Sequence, residues 1–184
     1  MEKVLDPRIV RTRKLIMEAF MGLAIEKEFK DITIKDITER ATVNRATFYY
    51  HFFDKHDLLE KVLSEDVLQG VLQNVTAHQA LSPDSLNDIF FSLLSFQNGL
   101  ANQCARSYEA FTPKIETIVK EELGRVFRDL LRRDHPEWPF EKVELHSIVL
   151  SWSLYGMSTK YVQTGELPSH ELMKETFSTL LATA

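Results

Sequence analysis

The stretch TIKDITERATVNRATFYYHFFDKHDLL, residues 33–59, decides the fold that this sequence predicts. It contains three residues that favour the N-cap of a helix, Thr33, Asn44 and Asp54. Thr33 and Asp36 also have the spacing of a capping box, with Asp36 in place of the usual Glu. We therefore expect helices to begin after Thr33, Asn44 and Asp54, and the middle one to be only about two turns long.

The middle helix carries the run FYYHFF, which packs five aromatic residues and one histidine into six positions. Successive helical residues are about 100° apart, so the six side chains cannot all face a core. Aromatic runs are more often core than contact surface, and Phe48 and Phe52, four apart, are expected to point inward. Tyr49 and Tyr50 lie on other faces, where a ring with a hydroxyl tip suits a polar surface. Phe53, just before the next cap, is expected to seal the joint between the two helices.

The first two of these helices are separated by only Ala41–Val43, which is the layout of a helix-turn-helix. In that motif the second helix enters the major groove with its N-terminal residues toward the base edges. Flanking side chains and helix N-termini hold the phosphates. Here Arg45, Ala46 and Thr47 begin the second helix, so the pattern favours DNA binding.

The rest of the sequence also predicts helices, and we assign the chain to the all-α class. The first helix is expected to begin at Asp6-Pro7 and to end at about Lys27. The remaining predicted boundaries are a start at Ser82-Pro83, a start at Thr112-Pro113, a break at His135–Pro139, and helices over about residues 140–163 and 169–182.

The formal charge of −5 is unevenly distributed along the chain. Residues 1–55 hold 11 Lys or Arg against 9 Asp or Glu, whereas the remaining residues hold 11 against 18. A mildly basic head is compatible with a polyanion partner at one end of the chain only. No apolar stretch approaches the roughly 20 residues that cross a bilayer, and the N-terminal sequence is charged, so a cytoplasmic protein is expected.

Patterns typical of catalytic and metal sites do not occur in the sequence. There is no Glu-x-x-His pair, no H-E-x-x-H and no G-x-S-x-G, and no glycine for a phosphate loop lies between Leu23 and Gln69. His51 and His56 lie on separate predicted helices, and the single cysteine, Cys104, can form neither an internal disulfide nor a thiolate cluster. We expect a protein that is not an enzyme and that has no metal or cofactor.

Residues 9–59 resemble the DNA-binding head of the TetR/AcrR (tetracycline-repressor) family of transcriptional regulators. The resemblance combines T-h-x-D-I, A-x-V, T-F-Y-x-H-F and K-x-x-L-L, where h is apolar and x is any residue, at the family's spacing. The family pattern usually has Gly at the positions of Glu28 and Thr42. Because a β-branched residue tolerates a positive φ poorly, we expect slight strain in the turn at Thr42.

The resemblance implies roles for individual residues of the head. Arg45, Ala46 and Tyr49 would lie nearest the base edges. The side chains at or near phosphates would be Thr33, Asn44, Thr47, Tyr50, His51 and Lys55, and Lys35 completes the expected DNA-binding set.

The resemblance also implies two domains, a DNA-binding domain over residues 1–54 and an effector-binding and dimerisation domain over residues 55–184. A homodimer would form through the last two helices and bind a palindromic operator. A ligand cavity would lie between the middle helices, and its aromatic candidates are Phe90, Phe96, Tyr108, Phe111, Trp152 and Tyr155. The implied function is that of a transcriptional repressor released from its operator by a small apolar molecule.

Alternatives to this interpretation stay open. Among DNA-binding proteins, the chain could be an activator or a regulator without a small-molecule effector. In a different class, it could be a helical ligand-binding or protein-interaction module whose head-like segment contacts another protein.

Overall fold

The computed structural model describes residues 6–67 and 80–182, and every regular element in these residues is helical. The α-helices are α1 (Pro7–Glu26), α2 (Ile34–Ala41), α3 (Arg45–His51), α4 (Lys55–Val62), α5 (Pro83–Gln103), α6 (Tyr108–Asp134), α7 (Phe140–Thr164) and α8 (His170–Ala182). A 3-10 helix, Phe29–Asp31, precedes α2, and a π-helical stretch, Leu63–Val67, continues α4. The apolar sequence pattern of this helix continues to Leu68, which lies outside the described residues. The all-α prediction is confirmed.

The predicted caps at the start of the chain are confirmed by their hydrogen bonds. The Asp6 carboxylate accepts from the Arg8 backbone N–H at 2.9 Å. Thr33 and Asp36 form the predicted capping box, because each side chain accepts a hydrogen bond from the backbone N–H of the other. The Asp54 carboxylate accepts two backbone N–H bonds at 2.8 Å from the first turn of α4. These side chains satisfy backbone donors that have no partner inside their own helices.

The predicted helix start at Thr112-Pro113 is wrong, because α6 begins five residues earlier at Tyr108 and contains Pro113. The backbone N–H groups of Ser107 and Tyr108 both donate to the carbonyl oxygen of Cys104, which forms the turn before α6. The Thr112 hydroxyl does not cap the helix and donates to the carbonyl oxygen of Tyr108 at 3.0 Å. Pro113 is the sixth residue of α6, where proline removes one intrahelical bond and its ring crowds the preceding turn, so the burial of Phe111 outweighs a local cost at this boundary.

The chain forms two compact units. The first comprises the chain up to Leu63 together with Ala101–Thr112, and the second comprises Ser64–Leu100 together with the chain from Pro113 onward. The buried core of the first unit includes Ile16, Phe20, Leu23, Phe29, Ile37, Phe48, Phe52, Leu58, Leu59 and Phe111. The core of the second unit includes Ile89, Phe90, Leu93, Leu94, Ile115, Leu123, Phe127, Leu130, Leu154 and Phe177. The predicted domain boundary between residues 54 and 55 stays a prediction.

Cys104 lies fully buried in the first unit, where a free cysteine packs as a small apolar side chain. Burial raises the pKa of its thiol, which keeps the sulfur protonated. Among the residues that the structure describes, no helix has the length and hydropathy needed to span a bilayer.

Candidate nucleic-acid interface

Two phenylalanines anchor α3 from behind, as the helical spacing predicted. Phe48 is 0% exposed and Phe52 is 2% exposed, and their ring centroids lie 5.9 Å apart. The guanidinium of Arg13 on α1 lies 4.7 Å from the centroid of Phe52, in cation–π geometry. These contacts hold the inner face of α3 against the rest of the first unit. The outer face of α3 therefore has a fixed orientation.

The outer face of α3 presents basic and aromatic side chains. Tyr49 is 50% exposed and Tyr50 is 70% exposed, and Arg45 and Ala46 are also exposed. A guanidinium nitrogen of Arg45 lies 3.5 Å from the hydroxyl oxygen of Tyr49, one helical turn further on. This contact is long for a hydrogen bond and therefore weak. It places the two side chains on one surface and leaves the polar groups of both able to bind another partner.

Asn44 and Thr47 form the N-terminal cap of α3. The Asn44 side-chain oxygen accepts from the Thr47 backbone N–H at 2.8 Å and from its hydroxyl at 3.0 Å. Capping fixes the first turn of α3 beside Arg45 and Ala46. The amide nitrogen of Asn44 remains a donor of the type that meets a phosphate oxygen.

Thr33, at the start of α2, is exposed and forms part of the capping box. The backbone N–H and the hydroxyl of Thr33 donate to the Asp36 carboxylate, and Lys27 lies 3.1 Å from it. These donors lower the pKa of Asp36 from 3.8 to about 2, so its charge is kept at all but the most acidic pH. Lys35, on the first turn of α2, is strongly exposed, and its ammonium lies 3.7 Å from Glu39.

Lys55 has a structural role that the sequence did not indicate. Its ammonium donates to the carbonyl oxygens of Phe29, Lys30 and Ile32 at 2.9, 3.1 and 3.0 Å. It also lies 4.7 Å from the centroid of the Phe29 ring. An ammonium has three donors, and here all three have protein acceptors. Lys55 therefore ties the start of α4 to the segment before α2, which argues for a structural role over a phosphate contact.

His51, in the last turn of α3, is half-buried and packs edge-on against Tyr50 at 5.1 Å between ring centroids. Burial, and to a smaller extent the charge of Arg13, lower the pKa of His51. The imidazole is therefore neutral near neutral pH, and it would meet a phosphate as a neutral donor and not as a cation.

The turn between α2 and α3 contains the strain that we expected. Thr42 adopts the left-handed conformation, with φ 56° and ψ 43°, and is the only non-glycine residue with a positive φ among the described residues. Glu28, the other position where the family pattern has Gly, is extended at φ −68° and ψ 143° and carries no such strain.

The expectation that Phe53 seals the joint between α3 and α4 is wrong, because this side chain is 83% exposed. The backbone N–H of Phe53 donates to the Asp57 carboxylate at 2.9 Å, and the side chain lies in solvent.

Sequence reasoning missed the contribution of residues 101–112 to the head. The Ser107 hydroxyl donates to the carbonyl oxygen of Lys27 at 2.9 Å, and Arg106 donates to that of Glu26 at 3.2 Å. Both acceptors lie at the end of α1, where backbone carbonyls lack intrahelical donors. No local signal could have revealed these contacts, because the partners are 80 residues apart in sequence.

The aromatic residues proposed for a ligand cavity are divided between the two units. Phe111 lies in the first unit, with its ring centroid 6.2 Å from that of Phe20 and 5.5 Å from that of Phe29. Tyr108 lies in the same unit, where burial raises its pKa. The other four, Phe90, Phe96, Trp152 and Tyr155, lie in the second unit, where Phe90 and Tyr155 are buried, Phe96 is half-buried and Trp152 is exposed. The lysine Lys120 covers the Trp152 ring at 3.5 Å from its centroid.

Comparison with known proteins supports the assignment of the head. Residues 16–62 match the family described as bacterial regulatory proteins, tetR family. The regulator YxbF of Bacillus subtilis, an uncharacterized HTH-type transcriptional regulator, is 32% identical over 102 residues, which are 55% of this chain and 27% of YxbF. DhaS of Lactococcus lactis, named an activator of the dhaKLM operon, is 30% identical over 63 residues, 34% of each chain. The matched segments therefore span only about a third or less of these relatives.

Solved structures share the fold over almost the whole chain. A putative transcriptional regulator from Pseudomonas aeruginosa PAO1 superposes with a TM-score of 0.65 at 17% identity, covering 98% of this chain and 92% of that one. DhaS superposes with a TM-score of 0.60 at 15% identity, covering 95% and 96%. At such identities the likeness concerns the fold alone. Residues 16–62 thus match the tetR family of bacterial regulatory proteins, and the chain as a whole shares its fold with solved transcriptional regulators.

Proposed function

We propose that this chain is a sequence-specific DNA-binding transcriptional regulator that reads the major groove with α3. The observation that supports the proposal most directly is the division of α3 into two faces: Phe48 is buried, while Arg45 and Tyr49 are exposed on the same surface. Arg45 is the side chain able to make a bidentate contact with a guanine edge, worth about 1–3 kcal/mol of discrimination. Ala46 offers a small apolar contact for a thymine methyl group.

We also propose that phosphate contacts surround this helix. Lys35 supplies an exposed positive charge, and Thr33, Asn44, Thr47, Tyr50 and His51 supply neutral donors on the first unit. Each contact made by a charged residue releases counterions from DNA and weakens as salt increases. Lys55 is bound to backbone carbonyls, so we assign it the task of holding α4 to the head.

A homodimer formed through α7 and α8 is the proposed binding unit. These helices expose large apolar side chains to solvent: Phe140, Leu145, Ile148, Val149, Trp152, Leu172 and Leu180. Such a set favours burial against a partner, because each apolar side chain removed from water stabilises the assembly. Gly156, on α7, is exposed, and an added Cβ would contact nothing within 4 Å. This position therefore leaves room for a partner helix to approach α7 closely. A two-fold dimer carries two copies of α3 and would require a roughly palindromic operator.

We propose that the regulator acts as a repressor and that a small molecule bound in the second unit releases it. Phe90 and Tyr155 are buried aromatic candidates for this site, whereas Phe111 and Tyr108 belong to the first unit. The effector must prefer one separation or tilt of the two heads to shift the equilibrium, and α4 is the proposed route. Activation in place of repression also has support, because the similar protein DhaS is named an activator. A transcription assay from the selected operator decides between the two signs.

The proposal is tested by selecting ligands for the purified chain from a pool of random duplexes. We expect an inverted repeat to be enriched. Arg45→Ala should then cost about 1–3 kcal/mol of binding free energy and relax the preference at one base pair of each half-site. Arg133→Ala, at an exposed position of α6, removes the same charge and serves as the matched control.

Binding should be measured over a range of salt concentrations. Lys35→Ala should weaken binding to all duplexes alike and reduce the slope of log affinity against log salt by about one. If Arg45→Ala and Tyr49→Ala bind every duplex as the unaltered chain does, the DNA-binding proposal is wrong. In that case a helical interaction module becomes the better interpretation.

A further inference from the structure

The second unit contains an apolar pocket away from the aromatic residues considered so far. The pocket has a volume of about 530 Å³ and lies among α7, α8, the start of α5 and the end of α6. Its floor consists of the buried side chains of Leu86, Leu131, Leu154 and Phe177, whereas Leu145, Val149 and Leu180 at its mouth are exposed. This volume is within the range of roughly 300–1,000 Å³ that is typical of small-molecule sites.

One end of the pocket is polar and carries a stacked cluster of rings. The indole of Trp138 contacts two imidazoles: it is parallel to His135 at 4.1 Å and tilted against His146 at 4.8 Å between centroids. All three side chains line the pocket. The ammonium of Lys142 lies 3.7 Å from the Trp138 centroid, so a positive charge stands beside the cluster.

The nitrogen atoms of this cluster have defined orientations. His146 Nδ1 lies 2.8 Å from the carbonyl oxygen of Lys142, and because a carbonyl can only accept, Nδ1 is the donor. The Nε2 atom of His146 is then the ring nitrogen that can meet a ligand, and it donates to a carboxylate when the ring carries a proton on both nitrogens. His135 Nδ1 lies 3.6 Å from the Glu137 carboxylate, but no Asp or Glu is among the residues that line the pocket. The polar end therefore offers two imidazoles next to a cation, and the nearby Glu137 carboxylate contacts His135 from outside the pocket lining.

We propose that this pocket binds an apolar monocarboxylate, with the hydrocarbon chain between α7 and α8 and the carboxylate against His135 and His146. The apolar floor removes the chain from water, which contributes about 0.8 kcal/mol per methylene group. Imidazoles protonated on both nitrogens, together with the nearby Lys142, favour a negative head over a positive one.

The competing occupant is the side chains of a second copy. The mouth residues Leu145, Val149 and Leu180 belong to the helices of the proposed dimer, so closure of the site rests on that proposal. Filling the pocket with apolar side chains would bury the imidazoles and the Ser153 hydroxyl, which has no hydrogen-bond partner among the described residues. Burying polar groups without partners is unfavourable. A ligand with a hydrocarbon chain and one polar end fits both the apolar floor and the polar end of the pocket. The partner subunit then covers the bound ligand.

The two tryptophans of the chain make a direct test possible. In a Trp152→Phe variant, Trp138 is the only tryptophan and reports on the pocket itself. We expect sodium decanoate, below its critical micelle concentration, to change the Trp138 fluorescence saturably. Decyltrimethylammonium, which has the same chain and the opposite charge, should bind at least about tenfold more weakly.

Two further variants locate the site. Ser153→Phe, made in the Trp152→Phe background, places a ring inside the pocket without removing core packing, and it should abolish the decanoate response. Ser178→Phe, at an exposed position of α8 outside the pocket lining, is the matched control and should leave the response intact. Circular dichroism shows whether each variant is folded. His146→Phe keeps a ring but removes its nitrogen atoms, so it should reduce the preference for the anion over the cation, while His135 and Lys142 remain.

Titrations at protein concentrations below and above the dimer dissociation constant distinguish the two occupants. Decanoate binding that persists or tightens in the dimer supports the proposal. Binding that disappears as the dimer forms means that partner side chains fill the pocket, and the proposal is wrong. Equal binding of the cation, or an unchanged response in Ser153→Phe, overturns it as well. None of these measurements uses DNA, so failure to bind an operator would leave this result unaffected.

Discussion

Replacing Thr42 by glycine should stabilise this protein. Thr42 caps α2 in the left-handed conformation, at φ 56° and ψ 43°. A left-handed conformation costs a residue with a Cβ about 1–2 kcal/mol, and Thr42 is exposed, so its side chain offers little packing in return. Glycine adopts this conformation freely but loses about 0.5–1 kcal/mol more chain entropy on folding. The expected net effect of Thr42→Gly is a free energy of unfolding higher by about 0.5–1 kcal/mol.

Glu28 supplies the matched control for this prediction. The family pattern usually has Gly at both positions, but Glu28 is extended, where any residue is accommodated. Glu28→Gly should therefore destabilise by about 0.5–1 kcal/mol through chain entropy, and it also removes the exposed ion pair with Lys30 at 2.7 Å, which contributes little. Thr42→Ala keeps the Cβ and should give no more than a small part of the gain of Thr42→Gly.

Thermal and urea unfolding followed by far-UV circular dichroism provide the assay. For a chain of this length, a gain of 1 kcal/mol corresponds to a rise in Tm of about 2–4 °C. Two results would refute the reasoning: a Thr42→Gly variant no more stable than the unaltered chain, or a Glu28→Gly variant stabilised to the same extent. Either would mean that the backbone at Thr42 is not the source of strain.

Three further predictions concern the first unit. Lys55→Met removes the donor of three carbonyl oxygens and should lower the free energy of unfolding by about 2 kcal/mol, whereas Lys35→Met should change it by less than about 0.5 kcal/mol in urea denaturation. The pKa of Asp36 is lowered to about 2, so its stabilising contribution is complete above about pH 4 and is lost as pH falls toward about 2; Asp36→Asn should flatten acid unfolding in that window. Ser107→Ala removes a buried hydrogen bond to the end of α1 and should destabilise by about 1–2 kcal/mol, and Ser95→Ala, at an exposed position, should not.

Much of the candidate interface could be predicted from the sequence because its signals are local. The caps at Asp6, Thr33, Asn44 and Asp54 each join residues two or three positions apart, so the pattern of side chains reveals them directly. The inward position of Phe48 follows from helical periodicity in the same way. The roles of individual residues toward DNA remain predictions, because they depend on a partner.

The errors occur where packing between distant segments outweighs local preference. Thr112-Pro113 has the local pattern of a helix start, yet Phe111, just before it, already belongs to α6. The Phe111 side chain is buried against Phe20 and Phe29. Phe53 is apolar, but the turn that its backbone makes with Asp57 leaves it exposed. In both cases the sequence indicated a preference and the contacts reversed it.

The sequence by itself determined the helical class, the helix-turn-helix layout, and which face of α3 carries Arg45 and the tyrosines. These depend on hydrogen bonds and side-chain directions within about four residues, which propensity and spacing encode. Only the tertiary structure decided that Lys55 binds carbonyl oxygens 23 to 26 residues away and that Ser107 holds the end of α1 across 80 residues. It alone also brought His135, Trp138 and His146 to one end of an apolar pocket. Such contacts depend on how separate helices pack, and no short stretch of sequence contains that information.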